Sequence, residues 1–395
     1  MNNLKSRFLL DASVTFLNHG SFGATPKPVF REYQRWQREM EKQPVEFLGR
    51  RINSLMAESR SALGKYVGTH ADNLVYTQNV TISLNIVARS LDLGPGDEVL
   101  STDHEYGALD RTWRFLSRER GFSYINHPIV FPLTSEQDFI DDFWSGVTPN
   151  TRVIFLSHIT SATAIIFPIA EIVRRTREAG IISIVDGAHV PGQIDLKIDS
   201  LGVDFYGGNL HKWLCAPKGS GFLYASPAMQ NLLKPLVVSW GYESETSSGS
   251  TFIDHNEWWG TRDMAAFLAV PAAIEFQEKY QWDKVRDLCH ELALDAQRRI
   301  CEITGLAPLH SQPLVSAQDG SGNWFRQMFT ARLPIEVDVV TLKNRLYEDY
   351  RIEVPVHEWN GNKLIRVSVQ GYNTRRDIDK LCRALPILLK ELSKS

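Results

Sequence analysis

The chain is poor in several things, and each scarcity removes a class of protein. It holds four cysteines in 395 residues, Cys215, Cys289, Cys301 and Cys382, widely spaced and without a C-x-x-C pair. That spacing builds neither a disulfide framework nor a metal site, and the thiols are expected to stay reduced, as in a cytoplasm. No apolar run approaches the roughly 18 residues that cross a bilayer. The opening Met1–Arg7 leads to only three apolar residues, Phe8-Leu9-Leu10, closed by Asp11; this is not the pattern of a secretory signal. A cytoplasmic location without a membrane partner is the expectation. Charge of one sign is scarce too. With 43 basic and 46 acidic residues the net charge is −3, which gives no footprint for nucleic acid. The phosphate loop G-x-x-x-x-G-K-[ST] is absent, and so is a G-x-G-x-x-G placed between strand and helix. A nicotinamide-dependent dehydrogenase is therefore a weak alternative.

What is present is a globular composition, 43% hydrophobic and 23% charged, in a chain long enough for two domains. From about residue 74 to 226 short apolar runs alternate with helical patterns, the mark of βα units on a parallel sheet. The predicted strands are Asn73–Tyr76, Glu98–Ser101, Tyr124–His127, Arg152–Ser157, Ile181–Val185, Phe205–Tyr206 and Gly221–Tyr224. Helices are predicted over Thr81–Leu91, Ala108–Arg120 and Ile169–Ala179. Such sheets place ligands beyond the carboxyl ends of their strands. After about residue 266 the pattern changes to a long helical region, Ala266–Ile303, then strands near 326–333 and 364–369, then a closing helix, Arg375–Leu392. The expected division is a large domain over 16–265 and a smaller α+β domain over 266–395 with the arm 1–15. Residues 243–251 read as an exposed polar loop, and 307–324 carry no pattern that assigns them.

The chemistry gathers at the predicted strand ends. Asp186 closes one apolar run, and Lys212 follows 26 residues later at the end of another. A buried lysine beside a buried carboxylate can hold pyridoxal 5′-phosphate (PLP) as a Schiff base and keep its ring nitrogen protonated. That makes the cofactor an electron sink for the α-carbon of an amino acid. Each residue taken singly reads as an ordinary loop charge.

Asn79-Val80-Thr81 follows a strand and opens a helix, so free N–H groups and the Thr81 hydroxyl form a candidate phosphate site, unless Thr81 is simply the helix cap. Asn209 and His211 are candidate donors to the same phosphate. Tyr106 is the choice for a ring stacked on the pyridine, and His104 is either a proton donor or a loop histidine. Ser161 and His189 are placed to reach the cofactor's phenolic oxygen. Arg366, on a predicted strand, offers the planar fork that binds an α-carboxylate, with a surface arginine as the plain alternative.

These residues, in this order, resemble a fold-type I PLP enzyme of the class V aminotransferase family, over about Phe16–Leu385. The resemblance implies a large PLP-binding domain with a mostly parallel seven-stranded sheet between helices, plus a smaller α+β domain. It also implies a homodimer whose sites borrow from the partner, with Thr261 of Gly260-Thr261-Arg262 reaching the neighbour's phosphate. Within the family the chain is similar to the isopenicillin N epimerase-like group. The stretches that carry this are Leu17–Gly23, which brings Asn18 and His19 into the expected substrate site, Asp103–Ala108, Val185–His189 and Val238–Glu243. That group also resembles C–S lyases, including those acting on cysteine sulfoxide conjugates. His189 stands where many relatives carry glutamine. Cysteine desulfurases need a thiol just before the Arg366 strand, and Glu353–Lys363 contains none.

The expected activity is thus at the α-carbon of an amino acid, with Lys212 as base. Epimerisation, β-elimination and transamination share that step, and a lapsed scaffold protein is a remote alternative. Epimerisation also needs an acid facing Lys212, for which His104, Tyr106 and Tyr242 are candidates. Arg50 and Arg51 would hold a second substrate carboxylate unless they are solvated helix charges.

Overall fold

The computed structural model describes residues 4–245, 247–311 and 323–392. Most of the unassigned stretch 307–324, and residue 246 of the polar loop, lie outside them. Short runs rich in β-branched and aromatic residues form twelve strands: β1 Thr15–Phe16, β2 Leu74–Thr77, β3 Glu98–Thr102, β4 Ser123–His127, β5 Thr151–Ser157, β6 Ile182–Gly187, β7 Phe205–Asn209, β8 Gly221–Ala225, β9 Met328–Leu333, β10 Ile352–Glu353, β11 Val356–Trp359 and β12 Asn362–Ser368.

Strands β2 to β8 make one seven-stranded sheet in the order β2-β8-β7-β6-β5-β3-β4. It is parallel except for β8, which runs against both β2 and β7. The central strands β5 to β8 are buried almost throughout, which explains why they read as unbroken apolar runs rather than alternations. The connecting helices are amphipathic. Ile169–Ala179 buries Ile169, Ile172, Val173 and Thr176, a single stripe at helical spacing, and stops at Gly180 in the left-handed conformation. The expected α/β class therefore holds, with the antiparallel β8 as its one mixed element.

A second sheet, β11-β12-β9, is antiparallel and packs against helices Trp282–Thr304 and Arg375–Leu392 around its own apolar core. The helical region expected as one piece over 266–303 is three helices, Ala265–Leu268, Val270–Lys279 and Trp282–Thr304. Ala269 separates the first two, and the break before the third falls at Gln281, held at φ +51. A non-glycine residue in that region ends a helix, and nothing in its side chain announces it.

The N-terminal segment crosses between the layers. β1 pairs in parallel with β10, Leu17 accepts the Ser368 N–H at 2.9 Å, and Gly23 lies directly on the loop carrying Lys212. Gly23 sits at φ +70, and a Cβ there would overlap the His211 carbonyl oxygen, so only glycine permits this approach.

Candidate active site

The carboxyl ends of β2, β3, β5, β6 and β7 converge on a cavity of about 320 Å³ whose wall includes Asn79, Val80, Thr81, Tyr106, Ser161, Asp186, His189, Asn209, His211 and Lys212. A larger open cleft of about 700 Å³, between helices Lys27–Lys42, Ile52–Val67 and Val270–Lys279, contains none of these. Among the described residues no group of three or more His, Cys, Asp or Glu is placed to hold a metal.

Lys212 follows β7 and is 9% exposed. Burial, together with the Arg366 charge, brings its ammonium down to about 7 against the pull of Asp186. A neutral amine, the form that condenses with an aldehyde, is thus accessible near neutral pH. Asp186, at the end of β6, is 3% exposed. Its Oδ1 takes the Ala188 N–H at 2.8 Å, leaving Oδ2 uncommitted, and burial pushes the carboxyl up to about 6. A cationic ring nitrogen would relieve that burial cost.

His189 has an assignable tautomer. The Trp213 indole N–H donates to its Nδ1 at 3.2 Å, and an indole can only donate. Burial, then the Lys212 charge, holds the ring neutral, so the proton is on Nε2, 3.2 Å from Lys212 Nζ. An Nε2–H directed at the lysine is a donor suited to a phenolic oxygen.

The phosphate end differs from expectation in detail. Asn79 is the helix cap, its Oδ1 accepting the Ile82 N–H at 3.1 Å, so Thr81 is not the cap. The Val80 N–H is not free: it donates to Asn209 Oδ1 at 3.0 Å, which leaves the Asn209 amide N–H₂. The His211 Nδ1 contact to the Ser220 carbonyl, 2.9 Å, requires Nδ1–H. Burial brings this imidazole down to about 4, so Nε2 carries a lone pair until an anion brings a proton with it. The donor set at the helix N-terminus, the uncommitted Asp186 oxygen and the depressed lysine together fit PLP.

Two sequence expectations need correction. His19 is fully buried and does not line the cavity. Its Nε2 donates to the Lys212 carbonyl at 3.0 Å, so Nδ1 accepts from the Tyr372 hydroxyl at 3.0 Å. It steadies the lysine's backbone rather than touching substrate. Asn18 is likewise off the wall, bonded to Glu353 at 2.9 Å and Ser21 at 2.5 Å. Arg366 stands just behind the wall. Its Nη1 donates to the Ser161 carbonyl at 2.6 Å and its Nη2 to Ser21 Oγ at 2.9 Å. Nε is buried without a partner, and burial brings the guanidinium down to about 10. Among the described residues no carboxylate compensates it. Ser161 therefore serves Arg366 in this structure.

His104 is enclosed by Phe131, Phe167 and Trp359, with Nδ1 2.7 Å from Asp103, so it is the loop histidine. Tyr242 and Thr261 are exposed and off this chain's cavity. Arg51 is engaged by Glu39 and Glu46. The sequence reading missed Ser21 and Phe22 on the wall, Trp213 behind His189, and Glu105. Small polar residues and a lone glutamate carry no pattern of their own.

The class V aminotransferase family model matches residues 17–318. Isopenicillin N epimerase of Amycolatopsis lactamdurans is 35% identical over 99% of this chain and 98% of its own length, and that of Streptomyces clavuligerus 33% over 98% of each. A probable chloroplastic L-cysteine desulfhydrase of Arabidopsis thaliana is 27% identical over 96% of this chain and 84% of its own. A solved C-DES mutant with glycine covalently linked to its PLP cofactor superposes with a TM-score of 0.82 at 20% identity, covering 97% and 98% of the two chains. The architecture is thus that of fold type I, and the chain belongs to the class V aminotransferases, a PLP-dependent family of enzymes.

Proposed function

We propose that the protein acts at the α-carbon of an amino acid or amino-acid conjugate as an epimerase or racemase of the isopenicillin N epimerase kind. One observation carries the reading. Lys212 Nζ, brought down to about 7, shares its cavity with Tyr106, the one of the three candidate acids that lines the wall. Bound PLP supplies the electron sink that makes the α-proton acidic.

Lys212 Nζ removes that proton as general base. Asp186 Oδ2 would face the protonated ring nitrogen and His189 Nε2–H would donate to the phenolic oxygen. The Asn209 amide, Thr81 and a protonated His211 would hold the phosphate. Arg366 exchanges its serine contacts for the substrate carboxylate, gaining the anion its buried site lacks. Tyr106, on the wall of the same cavity, would be the acid that returns a proton. The similarity to two epimerases over nearly the whole chain supports this order of events.

A second reading, a C–S lyase, is favoured by the desulfhydrase relative and by a hercynylcysteine sulfoxide lyase of Schizosaccharomyces pombe, 25% identical over 77% of this chain and 79% of its own. β-Elimination needs no acid opposite the lysine. A persulfide-forming desulfurase lacks its thiol, since none of the four cysteines lines the cavity. All four are free.

Proton NMR of the PLP-loaded protein in heavy water, with amino acids and cysteine conjugates, decides between the readings. Deuterium at an intact α-carbon with the inverted isomer appearing supports the epimerase. Pyruvate with a released sulfur fragment establishes the lyase, and pyridoxamine phosphate with a keto acid establishes transamination.

We also propose a homodimer. Trp240 is 86% exposed, and Val238 and Tyr242 beside it in sequence are exposed too, a short run of large apolar side chains that suits an interface. Thr261 would then lie at the second copy's phosphate.

A further inference from the structure

Two carboxyl groups, not one, stand where the central strands end. Thr102 closes β3, Ser157 closes β5 and Asp186 lies at the end of β6, and these three strands are neighbours in the sheet. Ser157 is directly paired with Asp186. Glu105 reaches into this corner from the loop after β3. Its Oε1 accepts from Thr102 Oγ1 and its Oε2 from Ser157 Oγ, each at 2.7 Å. A side chain fastened at both oxygens has little rotational freedom, so its carboxyl group is held at a fixed place beside Asp186.

We propose that Glu105 is a positioning residue for the ring end of the cofactor: clamped between Thr102 and Ser157 beside Asp186, it keeps a single negative charge in that corner and leaves it on Asp186. The inference rests on the PLP assignment. Some of the Glu105 surface remains accessible, yet the carboxyl is packed deeply enough that burial, with the Asp186 charge adding to it, raises it to about 8 against the two hydroxyl donors. Asp186 is raised only to about 6, so Asp186 ionises first. The other groups facing Glu105 are Tyr124 on β4, whose buried hydroxyl has no partner and is raised by burial and by Glu105, and, beyond it, Asp110 and Arg114. Lys212 lies beyond Asp186. Adjacent like charges in a poorly solvated corner resist joint ionisation, and among the described residues no cation touches Glu105 directly. Near neutral pH it is therefore neutral, with the contact to Ser157 reversed so that the carboxyl O–H donates to Ser157 Oγ while Thr102 Oγ1 still donates to the other oxygen. Above about pH 8 it becomes a second anion, which strengthens the hold on nearby protons.

Glu105→Gln keeps the shape and removes the ionisation, and two readouts follow. In the PLP-free protein a carboxyl raised in the folded state, from the ordinary range near 4.5 to about 8, stabilises fully below 4.5. That contribution is lost as pH rises through 8. The melting temperatures of the wild type and Glu105→Gln should therefore differ little with pH between 9 and 10, where the loss is complete, whereas from pH 6 to 9 the wild type should fall by several degrees relative to the variant. Parallel curves across pH 6–9 would overturn the proposal. In the PLP-loaded protein the cofactor's visible absorbance should change with pH in the same way in wild type and Glu105→Gln up to about pH 7, and the two should diverge above about pH 8, where only the wild type gains the second anion. Superimposable curves up to pH 10 would also overturn it. If Glu105→Gln does not fold, Ser157→Ala serves: removing one donor should push the Glu105 ionisation, and the break in the stability curve, to higher pH, and an unshifted break counts against the role. Should PLP fail to bind the wild type, the family reading fails instead, and the PLP-free melting curves still decide the clamp.

Discussion

The functional residues owe their state to neighbours that do no chemistry. His189 presents Nε2–H to the cavity because the Trp213 indole can only donate to Nδ1. Trp213→Phe frees the tautomer, and the loss of one such orienting bond, worth about 1 kcal/mol, should lower kcat roughly fivefold while PLP stays bound. Unchanged kcat in steady-state assays would mean the cofactor alone orients the ring. Tyr106→Phe separates stacking from proton donation. It should retain α-proton exchange with heavy water but lose inversion by about 10² or more; equal loss of both in NMR would assign Tyr106 to stacking only. His211 must gain a proton to donate from Nε2, since Nδ1–H is committed to Ser220 and the free imidazole titrates at about 4. Phosphate binding therefore carries a proton in, and affinity falls as that proton becomes scarce. Titration with pyridoxine phosphate, which cannot react with Lys212, should show binding weakening by up to about tenfold per pH unit between 7 and 9, with the slope flattened in His211→Asn.

At the scale of elements, the strand ends were legible because a buried parallel strand must be apolar along its length and the first polar residue beyond it faces the ligand. Asp186, Asn209 and Lys212 were found that way. The Gln281 break was not, because apolar periodicity runs on through Tyr280–Trp282 and a positive φ at glutamine leaves no mark in composition. Nor were the two-residue strands β1 and β10, which exist through each other. His19 was assigned to substrate from its company in Leu17–Gly23, whereas packing turns it inward onto the Lys212 carbonyl. The glycine of that same stretch carries the stronger constraint. Gly23→Ala places a side chain against His211 in a left-handed backbone, so we expect a loss of about 1–3 kcal/mol, read in urea denaturation, together with weaker PLP retention on gel filtration. Wild-type stability in that variant would mean the loop yields without cost.

For the whole molecule, the proposed dimer rests on the exposed run Val238, Trp240 and Tyr242 and on the solvent-facing Thr261. Trp240→Glu should shift the protein toward monomer in sedimentation velocity and weaken PLP binding in proportion; a dimer that survives it intact would place the interface elsewhere. Deeper in, Arg60 and Glu257 form an ion pair about 90% buried on each side, with Glu257 also accepting the Tyr76 N–H. Glu257→Gln strands the arginine and should cost about 3–5 kcal/mol.

The crossing at residues 15–23 also limits how far the two sheets can part. Leu17 and Gly20 are fastened to the small sheet, Gly23 is wedged on the lysine loop, and His19 holds both sides at once. The slack between the anchors is one helical turn, His19–Phe22. Uncoiling those four residues from about 1.5 to 3.3 Å each would yield only roughly 7 Å. The tether admits a slot rather than a gape, so a conjugate of the proposed kind would have to enter end-on.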